Sequence, residues 1–239
     1  MANRTERSPA LRQPLSRTRV LEAALAIADS SGLEALTMRR LGLELGVEAM
    51  SLYNHVRDKD DILDGILDLV LTEVDLSPRG KDWAEETRKC AISFHDAMVR
   101  HRWACGLILS PTDVHVLPTR IIYIESVLRR FRDAGFSAEA AYHGYHAIDS
   151  HILGFTLWAL GHSLPADYPS DFLATYLADF PFDQYPYLLE HYQQHVAGLA
   201  EDGEREFEFG LDLILDGLER IRRPQPNRRP ASARRKPTP

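Results

Sequence analysis

Polar, basic and aromatic side chains are concentrated between Thr37 and Lys59, in the stretch TMRRLGLELGVEAMSLYNHVRDK. Arginine and asparagine side chains can form paired hydrogen bonds to base edges in the major groove of DNA. Lysine, serine, threonine and tyrosine donate hydrogen bonds to phosphate oxygens, and small or apolar side chains can contact a thymine methyl group. The residue types of this stretch therefore favour contacts with double-stranded DNA.

Two short apolar runs at helical spacing must position these side chains. The apolar residues are Leu41, Leu45, Leu52 and Val56. Gly46 separates the runs and can adopt the left-handed backbone conformation that a tight turn requires. The pattern predicts a helix–turn–helix motif whose second helix begins near Glu48 and carries the side chains as far as His55. An ordinary hairpin of two helices has the same spacing, so the spacing alone leaves both interpretations open.

The motif resembles that of the TetR family of transcriptional repressors. The similarity covers Thr37-Met38-Arg39 at the start of the first motif helix, the run LGVEAMSLYNHV, and Lys59 at the start of the next helix. In that family the second motif helix enters the major groove, which implies DNA contacts at the matching positions. The implied base contacts are Arg39, Ala49, Met50 and Asn54, and the implied phosphate contacts are Thr37, Ser51, Tyr53, His55 and Lys59. Tyr53 could instead belong to the core, and His55 could cap or pack.

Charge is distributed unevenly along the 239 residues. The net charge of −7 divides into +1 for residues 1–60, −15 for residues 61–221 and +7 for residues 222–239. This division allows local binding to phosphate but argues against DNA binding through the whole surface. The chain has no apolar run long enough to span a bilayer and no signal-peptide core, which predicts a cytoplasmic protein without a membrane partner. Cys90 and Cys105 lack metal-ligand spacing.

The order of amphipathic segments predicts an all-α fold with two domains. Residues 1–15 are expected to form a flexible arm, and residues 16–76 an N-terminal three-helix helix–turn–helix DNA-binding domain with a fourth helix from Lys59 to about Leu76. Residues 77–221 are expected to form a C-terminal helical ligand-binding and dimerisation domain, followed by a basic disordered tail at 222–239. The residues expected to cap helix N-termini are Ser16, Asp58, Asp82 and Ser137.

The similarity extends into the C-terminal half, towards the tetracycline-repressor subgroup. It covers Asp82-Trp83, CAISFHDAMV, AGFS before a long helix with LGFTLW, and EFGLDLILDGLER. The ligand contacts that it implies are Cys90, Phe94, Leu107, Tyr145 and Asp149, to which helical periodicity adds Met98, Trp103 and Trp158. A histidine and a glutamate that hold the metal of a tetracycline chelate fall at Leu107 and Trp158 here. A bulky hydrophobic ligand is therefore expected instead of a metal chelate, although these positions could also be plain core.

A homodimer on a palindromic operator is expected, because one helix–turn–helix reads only a few base pairs. Small residues on the two longest C-terminal helices allow helices to approach closely, and the resemblance implies a four-helix bundle between two subunits. The candidate interface residues are Gly144, Ala147, Gly154, Gly210, Ile214 and Gly217. The same positions could instead form internal core.

Three histidines on one predicted helix, His143, His146 and His151, raise the alternative of an enzyme or a metal site. His143 and His146 share a helix face, but the sequence places no third ligand beside them. Asp149, Ser150 and His151 are consecutive and point about 100° apart on a helix, so they cannot form a catalytic triad among themselves. No catalytic residue, metal or other cofactor is predicted. The function predicted is a ligand-responsive repressor, with a ligand-independent architectural DNA-binding protein or an activator as alternatives.

Overall fold

The computed structural model describes residues 14–77, 82–110, 117–162, 180–191 and 203–222, and the regular elements in these ranges are all helical, as predicted. The α-helices with defined bounds are α1 (Arg17–Ser31), α2 (Met38–Leu45), α3 (Ala49–Leu52), α4 (Lys59–Leu71), α5 (Trp83–Arg100), α6 (Ala104–Ile108), α7 (Pro118–Asp133), α8 (Ala138–His162) and α9 (Gly203–Arg222). The predicted arm and basic tail lie outside the described residues, apart from residues 14, 15 and 222.

Side-chain caps begin several helices where the sequence predicts them. In each case a side-chain oxygen accepts a hydrogen bond of 2.8–3.4 Å from the backbone amide three residues further on. The predicted capping residues are Ser16, Asp58, Asp82 and Ser137, and Thr37 caps α2 without having been predicted to do so. Such a cap satisfies an amide that has no partner inside the helix, and it stabilises the helix by about 1 kcal/mol.

The first compact unit comprises the described residues within Met1–Thr72 and Arg100–Thr119. Helices α1 to α4 share one apolar core in this unit. Its buried members are Val20, Leu21, Ala24, Ile27, Ala28, Leu36, Leu41, Leu52, Val56, Ile62 and Ile66. Arg17 joins α1 to α4, because its two guanidinium nitrogens donate to the two carboxylate oxygens of Asp61 at 2.8 and 2.9 Å. These hydrogen bonds lower the pKa of Asp61 to about 2.

Helix α6 belongs to the first unit, although it follows α5 in the chain, and the domain bounds of 16–76 and 77–221 stay a prediction. It packs against α4. Asp29 of α1 holds the segment before α6, because its Oδ1 accepts from Trp103 Nε1 and lies 2.8 Å from His101 Nδ1. Hydrogen bonds between residues more than 70 positions apart, which helical periodicity does not reveal, thus place this segment.

Helix α4 ends at Leu71, earlier than the predicted end near Leu76. The Thr72 hydroxyl donates to the carbonyl of Leu69 at 2.6 Å, at the point where the helix stops. Three residues later the amide of Asp75 donates to Ser93 Oγ at 2.9 Å. Ser93 on α5 thus accepts from an amide that would donate to a backbone carbonyl if the helix continued.

The second compact unit comprises the described residues within Glu73–Val99 and Arg120–Pro239. Helices α8 and α9 pack against each other in it. Arg88 joins α5 to α9 through 2.8 Å contacts with Glu208 and Asp212. Trp83 also joins them, because its Nε1 donates to Glu219 at 3.1 Å. In the part of the chain that the structure describes, no helix is both long and apolar enough to cross a membrane.

Candidate functional site

The turn between α2 and α3 brings two backbone segments unusually close together. Gly46 adopts the left-handed conformation with φ of 66°, as its position in the motif predicts. The amide of Val47 donates to the carbonyl of Gly42 at 2.9 Å. A Cβ atom at Gly42 would lie 2.9 Å from the Val47 carbonyl oxygen and 3.2 Å from the Ala49 amide nitrogen. The position of α3 on α2 therefore depends on glycine at residue 42.

Helix α3 ends at Leu52, so the prediction that the second motif helix carries its side chains to His55 is wrong in extent. The chain continues in turns, in which the amide of Asn54 contacts the Ser51 carbonyl at 3.4 Å and the amide of His55 donates to the Leu52 carbonyl at 2.8 Å. These bonds span three residues, as in a 3₁₀ turn. Leu52 and Val56 are buried on either side and hold the turn against the core.

The nine predicted DNA-contacting residues lie in the first unit, between the start of α2 and the start of α4. The exposed ones are Thr37, Arg39, Met50, Tyr53, Asn54 and Lys59, and the partly buried ones are Ala49, Ser51 and His55. Met50 is 75% exposed and Tyr53 is 47% exposed, so Tyr53 is not a core residue. A large apolar side chain left in water beside polar groups is typical of an interaction surface.

Arg39 and Arg40 are both exposed cations of α2. The guanidinium of Arg40 donates to Ser31 Oγ at 2.9 Å, which turns this side chain towards the end of α1. Lys59 stands at the first position of α4, where the free amides of a helix N-terminus attract anions. The sequence did not single out Leu43, which is 73% exposed on α2, because it lies outside the helical spacing of Leu41 and Leu45.

The predicted ligand-binding residues are divided between the two units. Cys90, Phe94 and Met98 are buried on α5, and Tyr145 and Asp149 lie on α8. Trp103 and Leu107 belong to the first unit, where Trp103 Nε1 donates to Asp29, and the ligand contact of Trp103 stays a prediction. Trp158 is 45% exposed, and its ring lies 5.9 Å from that of Phe155.

A polar cluster in the second unit includes Arg120, which the sequence did not single out. Arg120 Nη2 donates to Asp149 Oδ2 at 2.6 Å and contacts the Tyr145 hydroxyl at 3.4 Å. The guanidinium carbon lies 5.3 Å from the ring centre of Phe94 and 5.1 Å from that of Tyr123. Burial raises the pKa of the Tyr123 and Tyr145 hydroxyls, so both stay protonated. A single arginine on an amphipathic helix gives no signal in the sequence without its partner on another helix.

The three histidines of α8 do not converge on a common site. His151 Nε2 lies 2.9 Å from the Phe207 carbonyl oxygen, and its ring stacks on that of Phe207. His143 and His146 are exposed and contact the ring of Tyr142. Within the described ranges, no three His, Cys, Asp or Glu side chains are grouped so that they could hold a metal ion.

Two of the candidate interface glycines serve packing within the chain. A Cβ atom at Gly144 would lie 3.1 Å from a methyl group of Leu218, and one at Gly210 would lie 2.5 Å from the ring of His151. These two positions therefore pack within the chain, as the internal-core alternative predicts, and their place in a dimer interface stays a prediction. The other candidates are exposed or partly buried, and they are Ala147, Gly154, Ile214 and Gly217.

Exposed apolar side chains accompany these small residues on α8 and α9. Phe209 is 68% exposed, Leu213 57% and Ile221 62% on α9, and Leu157 is 46% exposed on α8. Large apolar side chains left in contact with water are typical of an interaction surface. We refer to these four residues as the exposed apolar face.

Two family models match the chain. The model described as bacterial regulatory proteins, tetR family, matches residues 20–66. The model described as tetracyclin repressor-like, C-terminal domain, matches residues 77–222, which is more than half of the chain. The two matches coincide with the helix–turn–helix motif and with the helices α5 to α9.

Individual transcriptional regulators are also similar to this chain over most of their length. The tetracycline repressor protein class D of Escherichia coli is 29% identical over 211 residues, which cover 86% of this chain and 89% of that protein. The HTH-type transcriptional repressor DrrR1 of Streptomyces coeruleorubidus is 32% identical, covering 86% of this chain and 77% of that protein. The structure of Streptomyces coelicolor ActR in complex with actinorhodin superposes with a TM-score of 0.70 at 31% identity, covering 86% and 96% of the two chains. The chain therefore belongs to the TetR family of transcriptional regulators.

Proposed function

We propose that the protein is a ligand-responsive transcriptional repressor that binds a palindromic operator as a homodimer and is released by a bulky hydrophobic small molecule. The observation that carries the proposal is the exposure of Arg39, Met50, Tyr53, Asn54 and Lys59 around a glycine-dependent helix–turn–helix. The similarity to two repressors and to a family member that was crystallised with actinorhodin supports both DNA binding and a response to a ligand.

Base reading and phosphate binding are assigned to different side chains of this surface. Arg39 can donate two hydrogen bonds to guanine, Asn54 can pair with adenine, and Met50 can contact a thymine methyl group. Lys59 carries a charge at a helix N-terminus, which suits a phosphate oxygen of any sequence. The two kinds of contact predict different consequences when either is removed.

The experiment that tests this function is selection of bound fragments from a random DNA pool at near-physiological salt, followed by sequencing. Wild-type protein is expected to enrich an inverted repeat, with single base-pair changes costing about 1–3 kcal/mol each. Asn54→Ala should lose affinity for the preferred sites selectively. Lys59→Ala should lose affinity for all sites and reduce the slope of log affinity against log salt by about 1 per subunit.

Arg129→Ala serves as the control for loss of a positive charge, because Arg129 pairs with Glu125 on the surface of the second unit. It should leave the selected sequences and the salt slope unchanged. A uniform loss of affinity for Asn54→Ala would remove this residue from base reading. A pool without any enriched sequence would favour the architectural DNA-binding protein over the repressor.

The exposed apolar face supports the homodimer part of the proposal. Leu213→Asp is expected to weaken dimerisation by a factor of about 100 or more, because a carboxylate buried without a partner in an interface costs at least about 3 kcal/mol. The dimer dissociation constant is measured by sedimentation equilibrium. Ile122→Asp is the matched control, since Ile122 is 56% exposed on α7 and is not part of this face. Equal dimer affinity in both variants would exclude Leu213 from the interface.

The release mechanism that we propose is a shift between two populations of the dimer. Moving such an equilibrium from 1:99 to 99:1 requires about 5.5 kcal/mol of difference in ligand affinity between the two states. Leu107, one of the implied ligand contacts, lies on α6, and α6 packs against α4, whose first residue is Lys59. A displacement of α6 on ligand binding would reach the DNA-contacting surface by this route. The mechanism is excluded if no ligand changes operator affinity in a protein that binds its operator well.

A further inference from the structure

Three buried side-chain atoms of the second unit have no hydrogen-bond partner among the residues that the structure describes. One is Nη1 of Arg130, and the other two, Nη1 of Arg120 and Oδ1 of Asp149, belong to one ion pair. The other terminal atoms of these two side chains bond to each other, because Arg120 Nη2 donates to Asp149 Oδ2 at 2.6 Å. The ion pair is thus joined through one hydrogen bond, and it leaves one charged donor and one charged acceptor without partners. Buried atoms of this kind destabilise a fold unless they are satisfied from elsewhere.

Aromatic rings enclose this ion pair on one side. Phe94 and Tyr123 are fully or almost fully buried, and the guanidinium carbon of Arg120 lies within 5.3 Å of both ring centres. The side chains of Arg120 and Asp149 retain 18% and 13% of their exposure. Arg120 Nη1 and Asp149 Oδ1 are themselves buried, so this remaining exposure belongs to other atoms of the two side chains.

Charge and hydrogen bonding at the Arg120–Asp149 ion pair select one class of ligand. The two opposite charges compensate each other, so the site offers no net attraction for an anion or a cation. A carboxylate could accept from Arg120 Nη1 but has no proton for Asp149 Oδ1, and the two negative charges would repel each other. An apolar ring would leave both atoms without a partner. A hydroxyl group is uncharged and both accepts and donates.

We propose that the effector carries a hydroxylated aromatic ring whose hydroxyl oxygen accepts a hydrogen bond from Arg120 Nη1 and whose hydroxyl proton is donated to Asp149 Oδ1. This inference rests on the proposed ligand-responsive function and specifies the ligand class for it. It narrows the expectation of a bulky hydrophobic ligand, because the ring supplies the apolar contact and the hydroxyl group supplies the selectivity.

Three matched bicyclic probes test the inference on the full-length protein. 1-Naphthol, 1-methylnaphthalene and 1-naphthoate have the same ring system and differ in one substituent, which is respectively a hydroxyl, a methyl and a carboxylate group. Dissociation constants are measured by isothermal titration calorimetry. We expect 1-naphthol to bind at least about tenfold more tightly than either of the other two, because it alone satisfies both charged atoms.

Two variants connect this preference to the ion pair. Arg120→Met removes the donor, and it should bring 1-naphthol and 1-methylnaphthalene to within about twofold of each other. Asp149→Asn keeps the size of the side chain and removes its charge. The affinity of this variant for 1-naphthoate should therefore be at least about tenfold higher than that of the wild type. Asp149→Asn carries the test alone if circular dichroism shows that Arg120→Met does not fold. Arg129→Met, which removes an exposed arginine from the same helix, should behave as wild type.

The inference is overturned if 1-naphthol does not bind, if it binds no more tightly than 1-methylnaphthalene, or if its preference persists in the folded variants. Operator release by 1-naphthol is measured separately, by fluorescence anisotropy on a labelled operator. Tight binding that depends on Arg120 but does not release DNA supports this site and counts against the ligand-responsive function. Release of DNA without any preference for the hydroxyl group supports the function and overturns the site.

Discussion

Replacing Asp61 with alanine is expected to lower the free energy of unfolding at pH 7 by about 2–3 kcal/mol. Asp61 is 8% exposed and accepts three hydrogen bonds, two from the Arg17 guanidinium and one from the backbone amide of Arg57. The figure is below the usual cost of breaking a buried ion pair, because the side chain of Arg17 is 46% exposed and can be solvated. Equilibrium unfolding in urea gives the value directly.

Asp61→Ala should lower operator affinity as well as stability. Arg17 Nη1 also contacts the carbonyl oxygen of His55 at 3.4 Å, so the carboxylate of Asp61 positions an arginine that touches the turn after α3. We expect Asp61→Ala to weaken operator binding by about tenfold, which corresponds to 1.4 kcal/mol. Asp60→Ala is the control, since Asp60 is an exposed acidic residue in the same first turn of α4. If the two variants lose equal stability, the contribution belongs to the helix dipole and not to Arg17.

The contribution of Asp61 to stability should depend on pH in a defined range. Its pKa in the folded protein, about 2, is below the ordinary value of 3.8, mainly because of the hydrogen bonds from Arg17. The folded state therefore binds fewer protons than the unfolded state between these values, and a fall in pH through this range favours unfolding. The difference in the free energy of unfolding between wild type and Asp61→Ala should have its full value above about pH 5 and about half of that value at pH 3. Urea unfolding at both pH values measures it.

Local signals in the sequence predicted the starts of helices and the tight turn, because the groups involved are neighbours in the chain. Ser16, Asp58 and Ser137 cap amides three residues away, and Gly46 determines its own backbone angle. The end of α4 could not be predicted in the same way. The amide of Asp75, which follows this end, donates to Ser93, 18 residues further along the chain.

The two candidate sites differ in the same way, because one is formed by neighbours in the chain and the other by residues that are far apart in it. The predicted DNA-contacting residues form one continuous stretch, so their exposure follows from the burial of Leu52 and Val56 within that stretch. The ion pair between Arg120 and Asp149 joins two helices across 29 positions, and helical periodicity cannot show which polar residues meet inside a core. Periodicity also could not show the hydrogen bond of Trp103, because its partner on α1 is 74 positions away.

The largest effect on DNA binding is expected from Gly42→Ala, a change of one methyl group. The new Cβ atom would lie 2.9 Å from the Val47 carbonyl oxygen and 3.3 Å from the Ala49 Cα. These are backbone atoms of the turn and of α3, so no side chain can rotate away to relieve the contact. Helix α3 would have to move outwards, and Met50 and the turn that follows would move with it. The overpacking should cost about 1–3 kcal/mol of stability.

Operator affinity should fall by at least about a hundredfold in Gly42→Ala, because displacement of α3 misplaces several base and phosphate contacts that each contribute about 1–3 kcal/mol. Fluorescence anisotropy on the selected operator measures this loss. Gly106→Ala on α6 is the matched control, since no atom lies within 4 Å of its Cβ position. It should stabilise the first unit by about 0.5–1 kcal/mol and leave operator affinity unchanged. If Gly42→Ala binds the operator as wild type does, the spacing between α2 and α3 does not set the DNA-contacting surface, and the assignment of Met50 and Asn54 to base contacts loses its structural basis.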